Sequence, residues 1–226
     1  MSAFLPKRLN QPTTGCNYIE WVKDSGEDKV LYTQMGSDKI QRIYIRDLNG
    51  GARELVGPDD GIPRAHQQGS KFDNGRVKVA YRRWVASDQE WQDYWTDMSN
   101  PSQEFPMPLY VYGGGPPQWI DSRYILYQGT VNGVVQVIIY DTETHLYRPY
   151  TNDTGDKYSP YSWESPERGG GRLYMAEAIP VASNKYSELR IYWQKPGDPM
   201  LSIWATLTAP PEAGPYAYIT SPEPFV

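Results

Sequence analysis

The 226-residue chain carries one cysteine, Cys16, and two histidines, His66 and His145. A single cysteine excludes an internal disulfide, which fits a reducing compartment or a domain that needs no bridge. These three residues lie far apart in sequence and lack the spacing of a structural zinc site, so no metal is expected. Leucine is scarce, and no apolar run approaches the ~20 residues of a membrane-spanning helix. No stretch longer than about twelve residues keeps a clean helical period. Positive charge is not in excess either: 22 Lys and Arg stand against 27 Asp and Glu, for a net charge of -5. That balance, without a basic stripe, argues against nucleic acid as a partner. The opening "MSAFLPKRLNQ" has no apolar h-region and no small-residue cleavage site. The expected location is therefore cytoplasmic, or periplasmic or secreted if a leader has been removed.

What the chain has instead is aromatic and turn-forming residues: 19 Tyr, 8 Trp, 20 Gly and 20 Pro. Aromatic residues favour strands, and frequent Gly and Pro favour many turns. The composition suits short strands joined by tight connections.

The strands recur as a unit. "QRIYIRDLNGG", from Gln41, is echoed by "ELRIYWQKPGD", from Glu188. Four segments share one order of features, at approximately 17–60, 64–108, 109–153 and 154–207. Each opens with an aromatic residue before a polar turn (Trp21, Phe72, Trp119, Trp163) and continues into an apolar second strand. A loop and an alternating third strand follow, closed by Asp47, Asp97 and Asp141 in three copies, and then a short fourth strand. Val30, Val77, Tyr124 and Leu173 in the second strands are 47, 47 and 49 residues apart. An ordinary β-sandwich with evenly spaced hairpins is the alternative. A four-stranded unit of 40–50 residues has the size of one β-propeller blade, so the expected fold is an all-β propeller of four-stranded antiparallel blades in a single domain, 1–226. Residues 1–16 and 208–226 read as the last and first strands of a further, partial blade. The ring could be four-bladed, five-bladed or incomplete, and an open edge would invite homo-oligomers.

"SWESPERGGGRLYMAE" (Ser162 to Glu177) and "RIYIRDLNGGARELV" (Arg42 to Val56) resemble the two halves of the repeat of TolB-type, or PD40 (WD40-like), β-propellers. That resemblance implies a propeller fold. It also implies a choice among roles: partner-binding proteins, accessory domains of peptidases, and carbohydrate-active enzymes. The several histidines that bind metal in oligogalacturonate lyases, which resemble this propeller type, are missing here.

Propellers bind ligands at one end of the central channel, on segments that recur in every blade. The segments leading into the first strands therefore supply the candidate ligand-binding residues: Asn17, Arg64, His66, Gln67, Gln118, Tyr158 and Glu223. Arg64 beside His66 could hold a carboxylate or phosphate through the Arg fork. Aspartates of "DTGD" (Asp153 to Asp156) could form a calcium site. Trp91, Tyr94 and Trp95 could form a contact patch. His145, after a third strand, should lie at the surface. No nucleophile elbow, Cys–His pair or P-loop is present. Glu20, Asp73, Asp121, Glu164 and Glu223 lie in or just after first strands, where a five-bladed glycosidase keeps its acid and base. The same positions are turn formers in TolB-type units. The expected function is a non-enzymatic module binding a protein or a glycan, without a cofactor, and the alternative is a glycoside hydrolase-like enzyme.

Overall fold

A computed structural model describes residues 16–70, 75–109, 111, 115–164, 172–179, 188–194 and 199–208. Among them there are sixteen strands and no helix. They form four antiparallel sheets of four strands, each in simple sequential order. The first sheet contains β1 (Cys16–Asp24), β2 (Glu27–Met35), β3 (Gln41–Asp47) and β4 (Arg53–Val56). The second contains β5 (Arg64–Gly69), β6 (Lys78–Val85), β7 (Glu90–Asp97) and β8 (Glu104–Pro106). The third contains β9 (Gln118–Trp119), β10 (Tyr124–Val131), β11 (Val134–Asp141) and β12 (Tyr147–Pro149). The fourth contains β13 (Asp156–Glu164), β14 (Arg172–Ile179), β15 (Glu188–Trp193) and β16 (Ser202–Thr208). The strands expected to close on Asp47, Asp97 and Asp141 end on those residues. The terminal segments read as a partial blade lie outside the described residues, apart from Cys16 and Thr208.

Turn chemistry sets the registers. Ser25 and Gly26 join β1 to β2 with φ of 54° and 81°, and Asn132 and Gly133 join β10 to β11 with φ of 52° and 80°. Two-residue loops with both φ values positive match the twist of the flanking strands. The strand-closing aspartates cap the turns that follow. Asp97 Oδ1 accepts from Ser99 N at 2.7 Å, and Asp141 Oδ1 from Glu143 N at 2.9 Å.

The chain forms two compact units, Met1–Pro106 and Met107–Val226. In the first, the sheets of β1–β4 and β5–β8 pack across a core of Val22, Leu31, Ile43, Ile45, Val56, Val77, Val79 and Tyr81. Alternate positions of each strand supply this face, as strand period demands. Asp24, at the end of β1, is buried and fixes the approach of the second sheet. It receives Lys29 Nζ (2.8 Å), Arg76 Nε (2.9 Å) and Val77 N (2.9 Å). In the second unit, the sheets of β9–β12 and β13–β16 enclose Ile120, Leu126, Val137, Tyr150, Tyr174, Ala176, Tyr192 and Leu201. Tyr81, Tyr150, Tyr174 and Tyr192 belong to these cores, and Trp119 and Tyr127 are fully buried as well. Trp21, by contrast, is 65% exposed.

Gly69 marks the closest approach in the first unit. A Cβ there would overlap Val22 Cγ1 and press on Val77 Cγ2. Gly69→Ala should therefore destabilise the protein by about 1–3 kcal/mol, the usual cost of overpacking a core. Val22→Ala should recover part of that loss in the double variant, because the two sites are in contact. Denaturant unfolding of the four proteins measures the coupling, and simple additivity would count against the contact.

Candidate functional site

The candidate residues that the structure describes stand on strands and not on loops. Arg64, His66 and Gln67 stand on β5 itself, Asn17 on β1, Gln118 on β9 and Tyr158 on β13. The side chain of Asn17, and the whole of Glu223, lie outside what the structure describes.

Three first strands carry the same defect. The register slips between Asn17 and Glu20, between Ala65 and Gln68, and between Tyr158 and Tyr161. Within each slip sits a non-glycine residue in the left-handed region: Tyr18 (φ 54°), His66 (φ 57°) and Ser159 (φ 49°). An extra residue in one strand of a pair is a β-bulge, which bends the strand and re-aims side chains. Left-handed backbone at a residue as bulky as Tyr is costly and persists only where surrounding contacts enforce it.

A glutamine supplies those contacts in each unit. Gln67 Nε2 donates to Tyr18 O, and Gln67 Oε1 accepts from Thr33 Oγ1 at 2.5 Å. Glu20 adds a second tie, accepting from Gly69 N at 2.9 Å. In the second unit the Gln128 carboxamide, turned so that its oxygen faces two amides, accepts from Gly115 N (2.9 Å) and Ser159 N (2.8 Å). Both glutamines are buried. Gln67 therefore locks neighbouring strands together and is not held open for a ligand.

Arg64 is also corrected by the structure. Its guanidinium is 3% exposed and lies between two carboxylates. Nε and Nη2 donate to Glu104 Oε1 (2.6 Å) and Oε2 (2.9 Å), while Nη1 and Nη2 donate to Asp60 Oδ1 (2.8 Å) and Oδ2 (2.9 Å). Tyr81 Oη adds a bond to Glu104 Oε1 at 2.7 Å. Both forks of the arginine are filled internally, so the expected Arg64–His66 anion pair does not form. Asp60 stands only four residues before Arg64, but nothing in the sequence marks it as the partner, and Glu104 lies forty residues on.

His66 lies apart from that network, among rings. Its ring centroid is 4.2 Å from Tyr18 and 6.2 Å from Trp91, and Trp91 meets Trp84 edge-on at 5.8 Å. Burial, with the charge of Arg82 nearby, pushes the imidazole pKa down, which favours the neutral ring. The patch expected from Trp91, Tyr94 and Trp95 splits accordingly. Trp91 joins the His66 cluster, Tyr94 packs against the core, and Trp95 is buried, stacked on Phe105 at 4.5 Å. β1 contributes surface that the sequence reading did not single out: Tyr18 is 50% and Ile19 60% exposed, close to the exposed Trp21.

In the second unit Gln118 and Tyr158 are each half-buried. Their strand positions pair with Leu126 and Glu177 respectively. His145 is exposed as expected, with Nδ1 2.9 Å from Tyr140 Oη. The "DTGD" loop does not offer its acids to calcium. Asp153 Oδ2 is bonded by Arg190 Nη1, lies 3.4 Å from Lys157 Nζ, and accepts from Tyr192 Oη at 3.3 Å. Asp156 Oδ1 accepts from Val135 N at 2.8 Å. The fully buried Lys157 ammonium also binds the carbonyls of Asp153, Thr154 and Gly155 (2.7 Å to the last), so a tethered cation occupies the cage. Burial pushes the pKa of this lysine down against the pull of Asp153.

Of the five acids considered for glycoside hydrolysis, Asp73 and Glu223 lie outside the described residues, as does the side chain of Glu164. Glu20 is bonded to Gly69 N, and Asp121 Oδ1 accepts from Arg123 N (2.8 Å) and Tyr124 N (2.9 Å). Both act as backbone caps.

Two acids of the first unit titrate in opposite senses. The Arg64 hydrogen bonds pull Asp60 down to about 2. Burial pushes Asp93 up to about 7 against the opposing charge of Arg82, whose Nε is 3.4 Å from Asp93 Oδ1 without a hydrogen bond between them. A depressed folded pKa gives stability that is present above the unfolded value, near 4, and lost as pH falls towards 2. A raised one means that the folded state keeps a proton which the unfolded state releases, so stability falls as pH rises from about 4 to 7. In denaturant unfolding the Asp60 and Asp93 contributions combine to a maximum near pH 4–5, on which the depressed His66 pKa superposes a gain as pH rises towards its unfolded value. Asp93→Asn should flatten the upper limb, worth at most about 4 kcal/mol at roughly 1.36 kcal/mol per pKa unit. Asp60→Asn should reduce the lower limb without abolishing it, because the pKa values of Asp24 and Asp141 are also depressed. An upper limb unchanged in Asp93→Asn would show that Asp93 does not carry it.

No family model matches the chain, and no curated protein matches it. Solved structures do. A candidate TolB from Agrobacterium tumefaciens superposes with a TM-score of 0.52 at 13% identity, covering 80% of this chain and 62% of that one. TolB from Acinetobacter baumannii gives 0.44 at 14% identity, covering 82% and 55%. The tricorn protease gives 0.47 at 15% identity, covering 80% and 18%. This chain thus spans about three-fifths of the length of the first of these. The first likeness, together with four sheets of four antiparallel strands, gives the fold: the chain is built of β-propeller blades.

Proposed function

We propose that this chain, built of PD40-type repeats, is a non-enzymatic propeller module that binds a protein partner around the bulged first strands β1 and β5. One observation carries the reading. Tyr18, Ile19 and Trp21 stand 50%, 60% and 65% exposed within four residues of one strand. Beside Tyr18 lies the His66–Trp91–Trp84 ring cluster. Scattered exposed apolar residues are ordinary, but a group of large ones on a rigid strand suits a partner surface. Aromatic anchors lose little entropy on docking and dominate interface energetics. Ile19 has no polar handle and favours an apolar protein side chain over a sugar. The chemistry of the surrounding groups agrees, because the nearby charged residues Arg64 and Glu20 are committed to internal bonds.

Affinity capture followed by titration of the purified captured protein tests this. Ile19→Lys and Trp21→Ala should each weaken binding about tenfold or more, as expected for central interface positions. His145→Ala, on the second unit, should leave it unchanged. Equal affinity across all four proteins, or turnover of oligosaccharides by the wild type, would overturn the proposal.

A further inference from the structure

A second surface lies wholly within the other unit. A groove of about 790 Å³ runs along the third sheet where it meets the fourth, walled by Tyr124, Leu146, Tyr147, Tyr150, Tyr174 and Gln194. Its size is that of an ordinary small-molecule site. The segments that build it are the start of β10, the end of β11 and β12 on one side, and β14 and the end of β15 on the other. None of these residues belongs to the bulged strands.

The groove is aromatic but electrically balanced. Asp141 is held by Arg123 through Nε (2.9 Å) and Nη2 (2.5 Å). Asp121 caps two backbone amides. The Arg148 guanidinium lies 4.9 Å over the Tyr150 ring and donates to Pro199 O. Asp141 is paired with Arg123, and the two remaining lining charges, Asp121 and Arg148, are of opposite sign, so the wall carries no net charge that would favour an anionic or a cationic ligand. At its base the hydroxyls form a relay: Tyr150 Oη donates to Tyr174 Oη at 3.2 Å, which donates to Gln194 Oε1 at 3.3 Å. That relay uses the oxygen of Gln194 and leaves its two amide N–H donors directed elsewhere. The Tyr124 ring carries Arg123 at 5.1 Å, whereas Tyr147, paired through its backbone with Tyr140, is 43% exposed and its hydroxyl has no hydrogen-bond partner among the described residues.

We infer that this groove binds a neutral oligosaccharide, with Tyr147 as the stacking platform and the Gln194 amide as a hydroxyl-recognising donor. A pyranose ring presents an apolar C–H face and a rim of hydroxyls. A tyrosine combines an apolar ring with a polar tip, and a carboxamide adds donors without adding charge. The balanced wall suits a ligand with no net charge. The inference goes beyond the protein-binding surface proposed above and stands on different residues.

The test uses the whole chain on an array of short neutral, sialylated and sulfated oligosaccharides, followed by calorimetric titration of the strongest neutral binder. Wild type should bind it with a Kd below about 1 mM. Tyr147→Ala and Gln194→Leu should each weaken that binding about tenfold or more, whereas Tyr147→Phe, which keeps the ring, should retain most of it. Ile19→Lys should leave it unchanged, which separates this site from the protein-binding surface. Circular dichroism melts confirm that each variant is folded. Tyr147 is exposed and Gln194→Leu keeps the side-chain volume, so one variant reports even if the other fails to fold. Failure of every neutral glycan to bind, selection of charged glycans alone, or binding insensitive to both substitutions would overturn the inference.

Discussion

Each unit of this protein depends on seating a bent first strand against the sheet beside it. A β-bulge leaves backbone groups without ladder partners, and burying them unpaired would cost several kcal/mol. The chain meets this demand with a buried side-chain amide. Gln67 bonds the Tyr18 carbonyl and Thr33 in the first unit, and Gln128 accepts from Ser159 and Gly115 in the second. A carboxamide suits the task because it offers both donor and acceptor and brings no charge into the core. The cores of Val, Ile and Tyr then close around a backbone already fixed in shape. The left-handed conformations of Tyr18 and His66 are consequences of that seating.

Charge is handled in the same inward way. Arg64 lies between Asp60 and Glu104, Asp24 gathers Lys29 and Arg76, and Asp153 gathers Arg190 and Lys157. Such buried pairs add little net stability compared with apolar packing, but removing one partner strands the other in a low-dielectric setting. They therefore narrow the set of acceptable arrangements more than they deepen the well.

The architecture was legible because it is periodic. Val30, Tyr124 and Leu173 all fall in second strands, and Val77 stands just before one. The aspartates 47, 97 and 141 close third strands, and "NG" at Asn132 to Gly133 makes the two-residue turn its composition suggests. The site was less legible because the sequence shows residue type and strand phase, but not partners. Arg64 and His66 are two residues apart, so unbroken alternation puts them on one face. The bulge between Ala65 and Gln68 breaks that alternation, and Glu104, forty residues on, takes the arginine. Gln128 carried a usable signal as a polar residue in the apolar run "YILYQGTV". Nothing local marks Tyr147 as exposed or Trp95 as buried, since that depends on how the neighbouring sheet covers each position.

The repeat itself separates structural from functional positions. A feature present in several blades, such as the bulge or the strand-closing aspartate, answers a demand that every blade shares. It is therefore poor evidence for a specific ligand. The features that do not recur are the informative ones. The second strands carry Thr33, Arg82 and Gln128 one residue after Tyr32, Tyr81 and Tyr127, and each serves its own interior partner. By contrast, the exposed Tyr18–Ile19–Trp21 run belongs to the first sheet. The Tyr147 wall belongs to the third, where the short strand β12 leaves Leu146 and Tyr147 exposed at 69% and 43%. In a fold whose blades are copies, selection for binding acts by breaking the copy. Residues that depart from the pattern without being buried are therefore where specificity is to be sought.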